Sequence, residues 1–151
     1  MTNQQNKRIH IGVYGILIKD KKILLIKKSR GAYKGMHDLP GGSIEFGEKI
    51  EEALKREFIE ETGITLSSYS FFSNNEYFCN YKNESSEPRK LHHIGLYYNV
   101  MASFKNIKSG PDGHDSLGAE FIDIKKLDKI KIAPIAKTMI DVTIKNIQLS
   151  V

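Results

Sequence analysis

Hydrophobic positions along the chain gather into short runs, separated by glycine-rich or strongly polar segments. That alternation is expected of strands and helices joined by exposed turns. "IHIGVYGILI" (Ile9–Ile18) is nearly continuous in apolar and small residues, which predicts a strand covered on both faces. "KDKK" supplies a tight turn, and "ILLIKK" (Ile23–Lys28) returns as a second strand. Ser29–Gly42 holds four glycines and one proline and reads as a ligand-facing loop. A helix is expected over Glu48–Thr62, opened by Gly47 and closed by Gly63. "ITLSSYSFFSN" and "EYFCNY" read as two strands, Lys82–Lys90 as a polar connection and Leu91–Phe104 as a long strand. Ala119–Ile124 follows as a short strand after a second glycine-rich loop, Lys108–Gly118. Pro134 starts a closing helix that runs to about Ile147. One mixed sheet with helices packed against it is the expected assembly. Residues 1–8 form a polar tail and 9–151 a single domain.

Composition narrows the class. With 151 residues, 40% hydrophobic and 27% charged, the chain can bury a genuine core without staples. Cys79 is the sole cysteine, which removes an intrachain disulfide and favours a reducing, cytoplasmic location. The N-terminus lacks the apolar core of a signal peptide, and no apolar run reaches membrane-spanning length. A formal charge of +5 favours anionic partners. Lysines are spread evenly, so no DNA-binding surface is expected.

The chemistry lies in "REFIEETG" (Arg56–Gly63). At about 100° per residue, Ala53, Leu54 and Phe58 share one helix face with Ile50. Glu57 and Glu61 fall in the middle of that face and Glu60 beside it. A solvated acidic surface accounts for Glu51 and Glu52, which have Lys55 and Arg56 four residues downstream. It does not account for Glu57, Glu60 and Glu61, which have no basic residue three or four positions beyond them. They also crowd the helix C-terminus, where the dipole disfavours negative charge. Arg56, one turn before Glu60, offsets part of that repulsion. Clustered carboxylates near a core face need protons or a cation, and an all-oxygen ligand set suits Mg²⁺, Mn²⁺ or Ca²⁺. No EF-hand loop accompanies them, which excludes that class of calcium module.

Gly42 to Ile64, preceded by Gly41 in "GGSIEFGEKIEEALKREFIEETGI", resembles the Nudix box. Gly42, Glu48, Arg56, Glu57, Phe58, Glu60, Glu61, Gly63 and Ile64 fill its fixed positions. The resemblance implies an α/β fold, a Nudix-type α/β/α sandwich around a mixed β-sheet. It implies hydrolysis of a nucleoside diphosphate linked to another group, such as a nucleoside triphosphate or a nucleotide sugar. It further implies that Glu57, Glu60 and Glu61 bind Mg²⁺, or Mn²⁺ in its place, helped by the Gly41 carbonyl. Arg56 would orient the carboxylates, and Glu48 would act through a water or as a structural partner. Which carboxylate accepts the proton of the attacking water stays open. Rival readings are an RNA 5′-pyrophosphohydrolase and a catalytically silent, nucleotide-binding regulator; the intact box argues against silence. Many relatives pair as homodimers.

Outside the box, Arg30 and Lys34 offer phosphate contacts and Tyr33 a stacking surface, with Lys27 and Lys28 nearby. His37 stands where many relatives carry tryptophan. His92 and His93 are adjacent on a strand and point to opposite faces, so they cannot share a metal. Asp115, in the Lys108–Gly118 loop, is a further candidate for metal ligand or base, with Glu120 as the alternative.

Overall fold

A computed structural model describes residues 6–150. The expected flexible tail therefore lies mostly outside the described residues. Its last two positions are ordered, because strand β1 begins at Lys7 and runs to Ile16. β2 (Ile18–Lys19) and β3 (Lys22–Lys28) flank the expected turn, where Asp20 and Lys21 both adopt positive φ. The Ser29–Gly42 loop contains β4 (His37–Asp38) and leads into β5 (Gly41–Ser43).

Helix α1 covers Ile50–Thr62 and ends at Gly63, whose φ of 75° is the left-handed cap that glycine favours. It starts two residues later than expected. The Lys49 N–H donates to the Glu52 carboxylate at 2.9 Å, a capping contact that occupies Glu52. The i,i+4 pairs expected of Glu51 and Glu52 give way to other partners: Lys55 sits over the Tyr69 ring and Arg56 turns toward the box glutamates.

The two strands expected after the helix are one, β6 (Ser68–Lys82), with a bulge between Phe71 and Ser73. β7 (Pro88–Met101) returns antiparallel to it, and β8 (Ser116–Asp123) leads through a 3₁₀ turn into helix α2 (Pro134–Leu149). The sheet order is β5-β1-β7-β6, with β1 and β7 parallel, so this sheet is mixed as expected. β3 does not join it. It forms a second, antiparallel sheet with β2, β4 and β8, so the strands divide between two sheets rather than one.

Alternation on β1 and β3 explains the sandwich. Tyr14, Ile16, Ile23 and Leu25 pack with Ile135, Ala136, Met139 and Ile140 of α2. Val13, Leu17, Leu24 and Ile26 face the other way, onto Ala53, Leu54 and Phe58 of α1. The helices thus cover opposite faces, an α/β/α arrangement. α1 docks closely because Gly15 leaves space: a Cβ there would lie 2.4 Å from the Phe58 ring. Truncating Phe58 to alanine is expected to cost about 3–5 kcal/mol. Coverage of β1 is only partial. Ile9 and Ile11 are exposed, as is Ile50 at the helix start, so within β1 two-sided burial applies to Gly12–Ile16.

Candidate active site

The box helix, the loop after β3 and the loop before β8 converge on a cleft of about 560 Å³. Arg56 organises its helix side. Its Nε and one terminal nitrogen donate to the two oxygens of Glu48 at 2.7 and 3.0 Å. The other terminal nitrogen reaches Glu57 at 3.0 Å and Glu60 at 3.3 Å, and the guanidinium also donates to the Ser43 carbonyl at 2.9 Å. The hydrogen bonds from Arg56 hold the Glu48 carboxyl down at about 2. Glu57 and Glu60 thus have a basic partner after all, delivered by the side chain's reach rather than by helical spacing alone.

Glu57 and Glu61 are drawn inward, as their helix positions imply. Glu57 lies against Gly42, where a Cβ would stand 2.7 Å from its carboxyl carbon and push the carboxylate aside. Burial raises the Glu57 pKa despite Arg56. Glu61 is 1% exposed; the Gly41 N–H donates to its Oε2 at 3.3 Å, while its buried Oε1 has no partner. Burial pushes its pKa well above the ordinary carboxylate range, overriding the attraction of Lys28. Glu60 is the outlying member, half-exposed at the cleft rim.

The Lys108–Gly118 loop brings the remaining acids. It is tied to the end of α1, where the Lys108 N–H donates to the Thr62 carbonyl at 2.8 Å and its ammonium to the Glu60 carbonyl at 3.2 Å. It is tied to β3 by the Ser29 N–H, which donates to the Asp115 carbonyl at 2.8 Å. Asp112 folds the loop tightly, accepting from the N–H groups of His114 (2.7 Å) and Ser116 (3.2 Å). One oxygen each of Glu61, Asp112 and Asp115 lies within 4.8 Å of the others. Among the described residues this is the group close enough to share a cation, and it differs from the expected trio of Glu57, Glu60 and Glu61. The Lys28 ammonium pairs with Asp115. Burial opposes ionisation of Asp115, but Lys28 brings its pKa net below the usual value. Asp38, 3% exposed and beside the same lysine, is pushed up to about 6 by burial.

The structure sorts the remaining candidates. Arg30 lines the cleft. Lys34 does not, because the turn between Gly31 and Gly35 directs it to solvent. Glu120 also lies outside: it is exposed on β8 and accepts a hydrogen bond from His37 at 3.0 Å. Tyr33 borders the cleft but is 6% exposed and packed into the core, which leaves no ring face free for stacking. Its hydroxyl bonds His93 Nδ1 at 2.8 Å, and Tyr14 bonds Nε2 at 2.8 Å. His93 is thus a neutral core imidazole, its pKa lowered to about 3 by burial, donating to one tyrosine and accepting from the other. His92 points the other way and meets Glu76 at 2.7 Å.

Sequence reasoning passed over Asp112, Asp38, Arg8 and His10, all of which border the cleft. Asp112 had a signal, an acidic residue in a glycine-rich loop with Asp115 three positions on. Arg8 and His10 had none, since they bracket the expected start of the first strand.

Comparison with known proteins agrees with this geometry. The family described as NUDIX domain matches residues 7–142. An ADP-ribose pyrophosphatase of Methanocaldococcus jannaschii is 37% identical over 120 residues, which is 80% of this chain and 65% of that protein's length. An 8-oxo-dGTP diphosphatase of Buchnera aphidicola is 31% identical over 113 residues, 74% of this chain and 81% of that one. The NUDIX domain of Shewanella oneidensis NrtR, solved with ADP-ribose, superposes with a TM-score of 0.73 at 16% identity, over 97% of this chain and 94% of that domain.

Proposed function

The chain belongs to the NUDIX family, and from that membership we propose that it is a Mg²⁺-dependent pyrophosphohydrolase cleaving a nucleoside diphosphate linked to a second group, with ADP-ribose as the first substrate to test. The observation that carries this reading is Glu61, whose buried carboxylate leaves Oε1 without a partner and brings one oxygen within ligand distance of Asp112 and Asp115. A buried carboxylate oxygen without a donor is costly, and an oxygen-binding divalent cation is the ligand that satisfies it. Glu61, Asp112 and Asp115 would hold Mg²⁺, with Glu57 and Glu60 facing the same cleft. When bound, the cation would neutralise phosphate charge and acidify a water.

The protein's own groups supply the rest. Arg56 fixes Glu57 and Glu60 and has no free donor edge for substrate, so it is a positioning residue. Glu57, Glu60 and Asp115 offer carboxylate oxygens to accept the proton of the attacking water. Arg30 and Lys28 supply positive charge for the diphosphate. Arg8, His10, Tyr81 and Leu91 also line the cleft, a mix of polar and apolar groups that suits the sugar or base of a nucleotide. His10, its pKa lowered to about 4 by burial and by Arg8, stays neutral there and can hydrogen-bond without charge. The basic balance and sole cysteine suit an anionic substrate in a reducing cytoplasm; no helix of the described residues is long and apolar enough to cross a membrane.

The test is a substrate panel of ADP-ribose, nucleoside triphosphates, dinucleoside polyphosphates and 5′-triphosphorylated RNA, each with Mg²⁺ and with EDTA. AMP and ribose 5-phosphate from ADP-ribose, abolished by EDTA, is the expected result. Undiminished turnover in metal-stripped protein would sink the mechanism, and preference for the RNA would move the substrate class.

A further inference from the structure

The cleft is acidic at both ends, and one basic side chain makes the direct ion pairs at each, with Arg30 adding only its field on Asp115 at the loop end. At the loop end that side chain is Lys28, the last residue of β3. Its backbone is fixed from both sides: its N–H donates to the Met36 carbonyl and its carbonyl accepts from Gly35, both at 2.9 Å. Its side chain is 16% exposed and ends on Asp115. Asp38 and Glu61, both almost fully buried, lie within its field. Asp112 shares the ligand-distance cluster with Glu61 and Asp115. The ammonium thus pairs with Asp115 and acts on Asp38 and Glu61 through its field, and Glu61 Oε1 is left without a donor. The cluster is compensated only in part.

A divalent cation and the Lys28 ammonium are drawn to the same oxygens and repel each other, so their occupancies oppose. From this we infer that Lys28 is the resident counter-cation of the Glu61–Asp112–Asp115 cluster, released from Asp115 when a divalent cation enters and turned to a phosphate oxygen of the substrate. The inference rests on the reading of the cleft as a cation-dependent diphosphate site. Lysine suits the task because its flexible stem carries a point charge, which can change partners without breaking a planar fork. The ammonium already borders the cleft that Arg30 also lines, so the new partner lies within the same opening. The loop need not move when the pair opens, because its backbone stays held by the Ser29 N–H on the Asp115 carbonyl.

The experiment is a Mn²⁺ titration of the full chain by electron paramagnetic resonance, without substrate, on wild type, Lys28→Met, Lys28→Gln and Lys28→Arg. The two neutral variants should bind Mn²⁺ about tenfold more tightly, and Lys28→Arg close to wild type. In EDTA the neutral variants should melt at least ~5 °C below wild type, and saturating Mn²⁺ should erase the difference. At saturating Mn²⁺ their KM should rise about tenfold with kcat within about threefold. A neutral variant that folds only with Mn²⁺ is the same result at its extreme. Neutral variants that stay unfolded even in saturating Mn²⁺ would overturn the exchange, since the cation was to replace the lost charge. Equal or weaker Mn²⁺ binding by both neutral variants, or an unchanged KM, would overturn it as well. Those failures leave the parent reading standing. Wild-type protein that binds no Mn²⁺, or binds it as well after Glu61→Gln, would overturn the parent reading itself.

Discussion

Arg56 and Lys28 each gather carboxylates at the same cleft, but they do it in different ways. Arg56 spreads a rigid fork over Glu48, Glu57, Glu60 and the Ser43 carbonyl, so its donors are committed and its geometry is fixed. Lys28 makes one direct ion pair, to Asp115, and leaves Asp38 and Glu61 to its field alone. The helix end is therefore a finished network, and the loop end an incomplete one with an unsatisfied oxygen. Under the proposed function the first would orient the carboxylates and the second would take up the cation.

The hardest blow to that division is Glu61→Gln. It should reduce kcat by roughly a hundredfold or more, because Glu61 is the most buried of the proposed cation ligands. The metal-free protein should melt at the same temperature or higher, since a neutral amide replaces an acid whose ionisation burial opposes. A large drop in melting temperature in EDTA would show Glu61 to be a structural partner and erase the contrast.

Arg56→Lys tests the other end. The charge remains, but one ammonium cannot hold Glu48 bidentately and reach Glu57, Glu60 and Ser43 as well. A fall in kcat of about 10²-fold is expected, with Mn²⁺ affinity changed far less. Loss of Mn²⁺ binding instead would mean that the two ends form one site.

Asp115→Asn should lower kcat about tenfold or more, while Glu120→Gln should stay within about twofold. Steady-state assays of both variants separate the cleft carboxylate from the exposed partner of His37. If Glu120→Gln is the damaging change, the two assignments must be exchanged.

The loop end should also show in the pH dependence of stability without metal. Asp38 has a folded pKa of about 6, above its ordinary value of 3.8. The folded state thus binds its proton more tightly than the unfolded chain does. The resulting stability is present below about pH 4 and is lost as pH rises through about 6. Thermal melts in EDTA, compared with Asp38→Asn, should show wild type losing ground by a few degrees across that window. Parallel curves would mean that Asp38 is not held protonated.

The smallest effect belongs to Glu52→Ala, which removes the carboxylate from the Lys49 N–H. A loss of about 0.5–1 kcal/mol in denaturant melts is expected, with no change in rate. A rate effect would mean that the exposed and buried faces of the helix have been exchanged.

The sequence by itself determined which acids of α1 turn inward. Glu57 and Glu61 fall on the core face because backbone hydrogen bonds fix the helical repeat, whatever lies around the helix. Gly63 stops the helix, and the alternation on β1 and β3 exposes two faces for two helices to cover. Those features follow from neighbours along the chain. What only the tertiary structure decided is the company that Glu61 keeps at the loop end and where Arg30, Tyr33 and Lys34 point. Lys28, Asp38, Glu61, Asp112 and Asp115 come from four separate segments, and no spacing relates them. They meet because hydrogen bonds from Lys108 to Thr62 and from Ser29 to Asp115 clamp the loop between α1 and β3. Packing likewise buried Tyr33 against His93, turned Lys34 to solvent and carried Glu120 to His37 outside the cleft. Repeats set by the backbone are local and can be read from one sequence; contacts made by loops depend on where the packed elements come to rest.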